Sequence, residues 1–525
     1  MNTLTQSLQK NIDSLKKWLP SEDILVYEFQ TQDQVSCAVL YADGVVNKQI
    51  IGDLIARPLS KLDLSAERKK AETGATMSAM NIENATNATT VLLKTALFPE
   101  LKVQTQIQEV LKEVLDGNSL LLVDGERTGF IVGAKLLPNR AITEPPTDVT
   151  VKGPREGFIE DVKTNMSLIR KRLKTPSLQF ETLRVGKRSE TAVTLCWLND
   201  VAKAGLKEDI KRKIQQIDVD IIPDSSYIAA FLSPREHSIF HTLGTTEKPD
   251  VFTAKLCEGR VGVLVDGSPI ALTAPFLLTE DLQSSEDYYI SPFAATAFRF
   301  LRCFALFVAV LLPAFYVSAQ LFKMQLLPLG LMLTIASSVQ SLPLSPSLEM
   351  FVVLFLLETL KEASIRMPKY VGMSLSVVGA LVLGETAVSA GFLSTPAIII
   401  VAFSGICMYT VPNFVETGSL LRWLFLLVAG SIGPFGIVLL FAFLLYYLLS
   451  SDAFGAPMLA PFSPLSARDL RDSVAKYDLL SLKKRPRLFQ LKNKTRLREP
   501  YEKTQNEGTM SAMKNKKVKN KGGKS

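Results

Sequence analysis

Apolar residues follow two regimes along this chain, and the change comes near Phe298. Before it they occur in short runs with the periods of half-buried strands and amphipathic helices; from Phe298 to Leu449 they run nearly unbroken. Residues 303–321 (CFALFVAVLLPAFYVSAQL) and 395–411 (TPAIIIVAFSGICMYTV) are apolar on all sides. Runs of this kind read as bilayer-spanning helices, because about 20 residues rising 1.5 Å each cover the hydrocarbon layer. Residues 420–449 are longer and are interrupted by Gly430-Ser-Ile-Gly-Pro-Phe-Gly436, which predicts either one bent span or two short ones joined by a tight turn. Segments 324–340 and 348–366 leave the count open. Six crossings result if both span, and four if both stay at the surface and 420–449 breaks in two.

Ahead of this region the periods predict an α+β arrangement in two parts. In the first, 23–28 and 36–41 alternate like strands and end at Ala42-Asp43-Gly44, while 46–62 and 103–115 have helical spacing. Residues 118–123 and 128–134 form a hairpin around Asp124-Gly125, a pair suited to positive φ. Residues 71–90, rich in Ala, Thr, Asn and Ser, read as a loop or weak helix. A linker containing Pro138 leads to the second part. There Gly153-Pro-Arg-Glu-Gly-Phe158 precedes a helix at 159–173, strands at 180–186 and 192–197, a helix at 208–216 and a strand at 262–265 ending at Asp266-Gly267. The β-α-β alternation implies a small mixed sheet with helices on it.

The predicted organisation is therefore an α+β two-part cytosolic N-terminal domain (1–140 and 141–297), an α-helical polytopic membrane domain of four to six spans (298–450) and a basic disordered cytosolic tail (451–525). Charge sets the orientation. Residues 466–525 carry 18 Lys and Arg against 6 Asp and Glu, so the tail is +12 and the rest of a +8 chain is −4. Basic flanks stay cytoplasmic, and Arg299 and Arg302 mark the same side at the entry to the first span. The polar start (MNTLTQSLQKNIDSLKKWL) lacks the pattern of a secretory signal, which places the first domain in the cytosol. Lysines at the C-terminal end can lie on anionic lipid or simply enforce topology. No aromatic interleaving accompanies them, so no nucleic-acid partner is expected.

Candidate chemistry changes this picture little. The five cysteines (Cys37, Cys196, Cys257, Cys303, Cys407) are scattered without a C-x-x-C pair and read as reduced thiols. His237 and His241 have the i, i+4 spacing of one helix face but no carboxylate or cysteine at ligand spacing, so they read as surface or core residues and no metal site is expected. With no Walker A loop, G-x-S-x-G or H-E-x-x-H present, neither a catalytic residue nor a cofactor is expected, and the chain does not read as an enzyme.

Ionisable residues among apolar ones are more informative. Within 348–369, Glu358, Lys361, Glu362, Ile365, Arg366 and Lys369 recur at i, i+3, i+4, i+7, i+8 and i+11, one face of a helix whose other side is apolar. Such groups are expensive at membrane depth unless they face water or each other, so the stripe reads as a pore lining or subunit contact. An amphipathic helix lying flat on the cytosolic leaflet is the other reading. Glu385, near the end of 371–390, is a second candidate for permeation or coupling, or else an interfacial acid. Gly372, Gly379, Gly384 and Gly391 on that segment invite close helix packing.

Taken in order, the motifs resemble those of the GerA family of spore germination proteins, and specifically its receptor A subunits. The matching stretches are Tyr41-Ala-Asp-Gly-Val-Val46; Val123-Asp-Gly125; Pro138-Asn-Arg-Ala-Ile-Thr-Glu-Pro145; Gly153-Pro-Arg-Glu-Gly-Phe158 through Asn165 to Leu168-Ile-Arg-Lys-Arg-Leu173; Thr246-Glu-Lys-Pro-Asp250; Glu258-Gly-Arg-Val261 into Val265-Asp-Gly-Ser-Pro269; and Ser284-Ser-Glu-Asp-Tyr-Tyr289. They span about residues 20–465. Lys248 stands where the family usually has Arg. The resemblance implies structural roles for Gly153, Pro154, Arg155, Glu247, Pro249, Asp250, Asp266 and Gly267. It further implies a subunit of a nutrient receptor in the inner membrane of a spore, partnered by a transporter-like B subunit and a lipoprotein C subunit. Such subunits are proposed to assemble as homo-oligomers that form a nutrient-gated cation channel.

Overall fold

A computed structural model describes residues 3–61, 101–135, 150, 152–233, 238–322, 325, 328–340, 342–366, 368, 371, 377–379, 382–489 and 491–496. The chain divides into a sheet unit, which includes residues 1–236, 243–275 and the segment from 483, and a helical unit of residues 237–242 and 276–482.

The sheet unit is built twice from one plan. In the first copy, helix α1 (Leu8–Trp18) precedes β1 (Ile24–Gln30), β2 (Ser36–Ala42), β3 (Leu101–Gln104), α2 (Ile107–Leu115), β4 (Ser119–Val123) and β5 (Gly129–Val132). In the second, α3 (Val162–Arg172) precedes β6 (Leu178–Val185), β7 (Thr191–Leu198), α4 (Leu206–Gln215), α5 (Ser225–Leu232), β8 (Gly244–Thr246), α6 (Pro249–Cys257), β9 (Val261–Val265) and β10 (Ala271–Ala274). The strand orders are β1-β2-β4-β5-β3 and β6-β7-β9-β10-β8, position for position the same.

Small hydrogen-bonded devices repeat as well. Asp124 Oδ1 accepts the N–H of Leu8 at 2.9 Å, and Asp266 Oδ1 accepts that of Val162 at 3.2 Å, so each Asp holds the first residue of its copy's leading helix. Gly125 N–H donates to Gln6 and Gly267 N–H to Glu160, both at 2.8 Å. Both glycines have positive φ, +83° and +87°, as the Asp-Gly pairs predict. Asn11 accepts from Thr5 N–H at 2.8 Å, and Asn165 accepts from Ile159 N–H at 2.9 Å. Each Asn thereby closes the loop that enters its helix.

The sequence reading needs corrections here. Among the described residues every strand pairing is antiparallel, so the sheets as described are not mixed. The predicted alternation of strand 192–197, helix 208–216 and strand 262–265 is β7, α4 and β9, but β7 and β9 pair antiparallel rather than parallel. The helix expected over 103–115 begins only at Ile107, because β5 captures residues 101–104 as an edge strand. The helix expected over 159–173 is α3, Val162–Arg172, its start set by the Asp161 cap, whose carboxylate accepts the Thr164 N–H at 2.9 Å. Residues 71–90 lie outside the described residues.

Both faces of the first sheet are covered. Ala38, Leu40, Leu120 and Leu122 pack with α1 and α2, and the alternate residues Cys37, Val39, Leu121 and Val123 pack with Ile51, Ile55 and Leu59 from a helical stretch after β2. The sheet unit also takes up the start of the basic C-terminal segment: Leu491 abuts Gly259, Arg260 stacks over Phe489 and Arg485 Nε donates to the Cys257 carbonyl at 2.7 Å. The lysines after 496 lie outside the described residues.

The helical unit contains α7 (Pro292–Phe322), α8 (Leu329–Val339), α9 (Pro346–Arg366), α10 (Thr395–Met408), α11 (Val415–Ile432) and α12 (Pro434–Leu449). Among the described residues two helices, Pro292–Phe322 and Pro412–Ile432, are long and apolar enough to cross a membrane. Of the two readings of 420–449, the structure has two helices: Gly433, at φ +77° and ψ −151°, ends α11 and Pro434 opens α12. Ala305, Ala309 and Ala314 line the buried side of α7, where α10 and α11 approach closely.

Candidate functional site

Proline at position 313, inside α7, removes the N–H that would bond the Ala309 carbonyl. Ser404 of α10 replaces it: its hydroxyl donates to Ala309 O at 2.7 Å. Arg422 of α11, 2% exposed, in turn donates from Nη1 to Ser404 Oγ at 3.2 Å and from Nη2 to Glu358 Oε1 at 2.5 Å. Glu358 Oε2 meets Lys361 Nζ at 2.5 Å, and Lys361 reaches Ser419 Oγ at 3.2 Å. One polar chain thus ties α7, α9, α10 and α11 together inside an apolar bundle. In such surroundings a charge is tolerated only when paired and hydrogen-bonded.

This geometry divides the predicted charged stripe. Glu358 and Lys361 turn to the bundle interior, whereas Glu362 and Arg366 form an exposed i, i+4 pair at 2.5 Å. The stripe is therefore not a single uniform face, because Arg422 on the neighbouring helix captures its first turn. Lys369 lies outside the described residues. Glu385 is exposed, on a helical turn over Val382–Thr386. Lys361 and Glu362 also border a groove of about 880 Å³ whose other walls include Leu357, Val401, Tyr409 and Glu416. Of the two histidines, His241 is exposed and His237 lies outside the described residues.

Arg422, Ser404 and Ser419 were not singled out by the sequence reading. The signal for Arg422 was present, as an arginine inside the apolar run 420–449. A second hub was also missed. Asp287, fully buried in the Ser284-Ser-Glu-Asp-Tyr-Tyr289 motif, receives Arg299 Nε and Arg302 Nη2 at 2.9 Å each. Lys476 reaches its backbone carbonyl at 3.3 Å. Burial pushes the Asp287 carboxyl up, but hydrogen bonds from Arg302 and Arg299 outweigh it and hold the group below the ordinary carboxylate range. Arg299 and Arg302, read from sequence as orientation markers, are thus also a clamp at the start of α7.

The motif residues of the sheet unit lie in loops and at helix starts. Gly153 has φ +126°, in the region that favours glycine, and Pro154 follows it in the loop before α3. Arg155 is exposed in the same loop, while its neighbour Glu156 bonds Lys171 and Arg172 of α3 at 3.0 and 2.8 Å. The Glu247 carbonyl accepts the Phe158 N–H at 2.7 Å. Lys248, in the position where Arg is usual, is fully buried and donates to Thr150 Oγ1 at 3.0 Å. Pro249 opens α6 and Asp250 lies in its first turn. Asp266 and Gly267 hold the start of α3 as described above. No group of three or more His, Cys, Asp or Glu among the described residues is arranged to hold a metal ion.

Residues 9–488 match the model of the Bacillus/Clostridium GerA spore germination protein family. Spore germination protein KA of Bacillus subtilis is 32% identical over 498 residues, 94% of this chain and 88% of that protein. The uncharacterized membrane protein YfkQ of the same organism is 31% identical over 488 residues, 92% of this chain and 91% of its own. Among solved structures, the N-terminal domain of the A subunit of the Bacillus megaterium spore germinant receptor GerK3 matches at 24% identity and a TM-score of 0.39, covering 53% of this chain and 97% of that one. The relatives and the two long apolar helices together point to membrane association. With a family model covering all but the ends of the sequence, the chain belongs to the GerA family of Bacillus/Clostridium spore germination proteins.

Proposed function

We propose that this chain is the A subunit of a spore germinant receptor, and that it works as part of an oligomeric, nutrient-gated cation channel rather than as an enzyme. It would sit in the inner membrane of the spore as a multi-pass protein with both termini in the cytosol, beside a transporter-like B subunit and a lipoprotein C subunit, with its C-terminal lysines on anionic lipid. Near full-length similarity to spore germination protein KA supports the germination role. The observation that carries the channel reading is the division of the stripe: Glu358 and Lys361 are paired within the bundle, while Glu362 and Arg366 remain exposed on the same helix. An exposed ionic pair on an otherwise apolar helix is stable in a bilayer where it meets water or another subunit.

The experiment is reconstitution in liposomes, alone and with the partner subunits, measuring cation flux with and without nutrients for the native chain and for Glu362→Gln. Flux whose selectivity changes in the variant supports a pore at Glu362. An intact oligomer with no flux under any condition overturns it.

A second reading is a scaffold that transmits the signal without conducting. The Arg422–Glu358 pair, its arginine buried and its carboxylate partly so, favours it, since a clamp across four helices is suited to passing a rigid-body movement. That reading predicts loss of assembly, with no change in selectivity, when the pair is broken. A third, action in spore ion or dipicolinate release, predicts activity independent of nutrient.

A further inference from the structure

The two copies of the sheet unit meet at one end of the first sheet, where Asp43 and Gly44 follow β2 and Asp116-Gly117 join α2 to β4. Helix α3 of the second copy lies against this end: a Cβ on Gly44 would stand 3.1 Å from the Lys163 carbonyl oxygen and 3.2 Å from the Ser167 side chain. Lys163 faces Asp43 at 3.9 Å, and Lys174, just after the helix, pairs with Asp116. The leading helix of one copy thus docks on the sheet end of the other, lysines to carboxylates.

The second sheet has the same end. Asp200 and Val201 follow β7 as Gly44 and Val45 follow β2, and Glu258-Gly259 join α6 to β9 as Asp116-Gly117 join α2 to β4. Val45 abuts Gly117, and Val201 abuts Gly259. Here, however, the chain's own C-terminal strap, residues 483–489 and 491–496, supplies the cover. Lys492 donates from its backbone N–H to the Val201 carbonyl at 3.2 Å and from Nζ to the Asn199 carbonyl at 3.1 Å. Leu491, buried, stands where a Cβ on Gly259 would go, and Phe489, also buried, packs against the Arg260 guanidinium. The strap is tied to itself as well, Arg485 N–H to the Lys494 carbonyl at 3.0 Å and Arg496 N–H to the Lys483 carbonyl at 2.9 Å. The Glu258-Gly-Arg-Val261 motif is therefore the seat of this strap.

We infer that the strap is a guard: it occupies the sheet end on which a further leading helix would dock, and keeps helix α1 of a second copy of this chain off it. The internal interface shows what such an end accepts, and α1 is the counterpart of α3, with Leu8 and Asn11 matching Val162 and Asn165 in their bonds. Gln9, Asp13 and Lys16 of α1 stand at the positions of Lys163, Ser167 and Arg170 and are exposed. Exposed Lys10, Lys16 and Lys17 outnumber Asp13 on α1, while the guarded end carries Asp200 and Glu258, the same match of charge that joins α3 to the first sheet. A repeated unit with an open end adds copies head to tail, and such ends are ordinarily capped. The guard does not rest on the channel reading, because an oligomer built through other surfaces leaves this end closed.

The test is photo-cross-linking of the purified full chain in detergent, with a benzophenone amino acid in place of Gln9 and two differently tagged populations mixed. Leu491→Asp breaks the apolar anchor. Should that variant fail to fold, Arg485→Ala removes the bond to the Cys257 carbonyl and leaves the apolar contacts in place. Trypsin cutting after Arg487 reads release of the strap. The expected result is faster cutting together with a severalfold rise in cross-links between the two tags, mapped to residues 199–201 or 258–260. A released strap without that rise overturns the guard, as does an equal yield from the native chain. Unchanged cutting in both variants overturns the anchoring of the strap, and cross-links that map elsewhere overturn α1 as the helix it excludes.

Discussion

Arg170 grips Asp23 in a two-pronged ion pair, Nε to Oδ2 at 3.0 Å and Nη2 to Oδ1 at 2.8 Å, with both side chains sealed from solvent. The pair joins the two copies of the sheet unit. Arg170 also donates to the Thr175 and Leu178 carbonyls and stacks over Phe180, and Ser21 beside Asp23 accepts the Phe180 N–H at 3.0 Å. Removing one partner leaves a buried charge unmatched, which costs about 3–5 kcal/mol. Asp23→Ala is therefore expected to lower the unfolding free energy of the full chain by that amount. A loss under about 1 kcal/mol, the level of a surface pair, would contradict the sealed geometry.

The Ser404 bond to Ala309 exists because Pro313 freed that carbonyl. Ser404→Ala should cost about 1–3 kcal/mol by leaving a buried acceptor unsatisfied. In a Pro313→Ala background the helix can supply its own N–H, and the same substitution should cost measurably less. A double-mutant cycle on thermal stability reads the difference. Additive effects would mean that the serine does not stand in for the missing amide.

Breaking Glu358–Arg422 should be worse than deleting it. Glu358→Gln leaves the buried arginine without its carboxylate, whereas Glu358→Gln with Arg422→Met removes both charges from the bundle. The double variant is expected to recover stability relative to the single, and the amount of folded protein retained after detergent extraction measures it. Equal losses in both would place the role of Arg422 in its bond to Ser404 instead.

Replacing Gly153 by Val forces a β-branched side chain into φ +126°. Strain of this kind costs about 1–3 kcal/mol. The amount of folded chain should fall while, on the proposed channel reading, ion selectivity in the surviving fraction is unchanged. Normal abundance with altered selectivity would contradict a structural role for this loop.

Asp287 predicts an acid-sensitive clamp. Its carboxyl is held below the ordinary range when folded, so between the two values the unfolded chain binds the extra proton. The stabilisation is present above the usual aspartate value of about 4 and is lost as pH falls through the folded value. Asp287→Asn should flatten this acid limb of the unfolding profile. An unchanged pH dependence in the variant would show that other carboxylates carry it.

Much of the local structure was legible from spacing alone. The Asp124-Gly125 hairpin, the β9 strand ending at Asp266-Gly267 and the apolar helix around residues 303–321 follow from period, turn chemistry and length. Gly433-Pro434 marked a break, although whether it would bend a helix or end it was left to the packing around it.

What the sequence by itself determined is therefore short-range: which residues form strands and helices, where turns need glycine, and where the chain becomes too apolar for an ordinary core. Each depends on neighbours within a turn or a strand pair. Tertiary structure decided that the sheet unit repeats one plan, since the match lies in strand order and in bonds such as Asp124 to Leu8 and Asp266 to Val162, with only a few identical residues, the Val-Asp-Gly triplets and the helix asparagines, to mark it in the sequence. It also decided that Glu358 turns inward while Glu362 does not. Both sit on one predicted helix face, and only the arrival of Arg422 from a distant part of the chain separates them. Helical spacing specifies which side chains share a face, and the charge that meets that face comes from another helix.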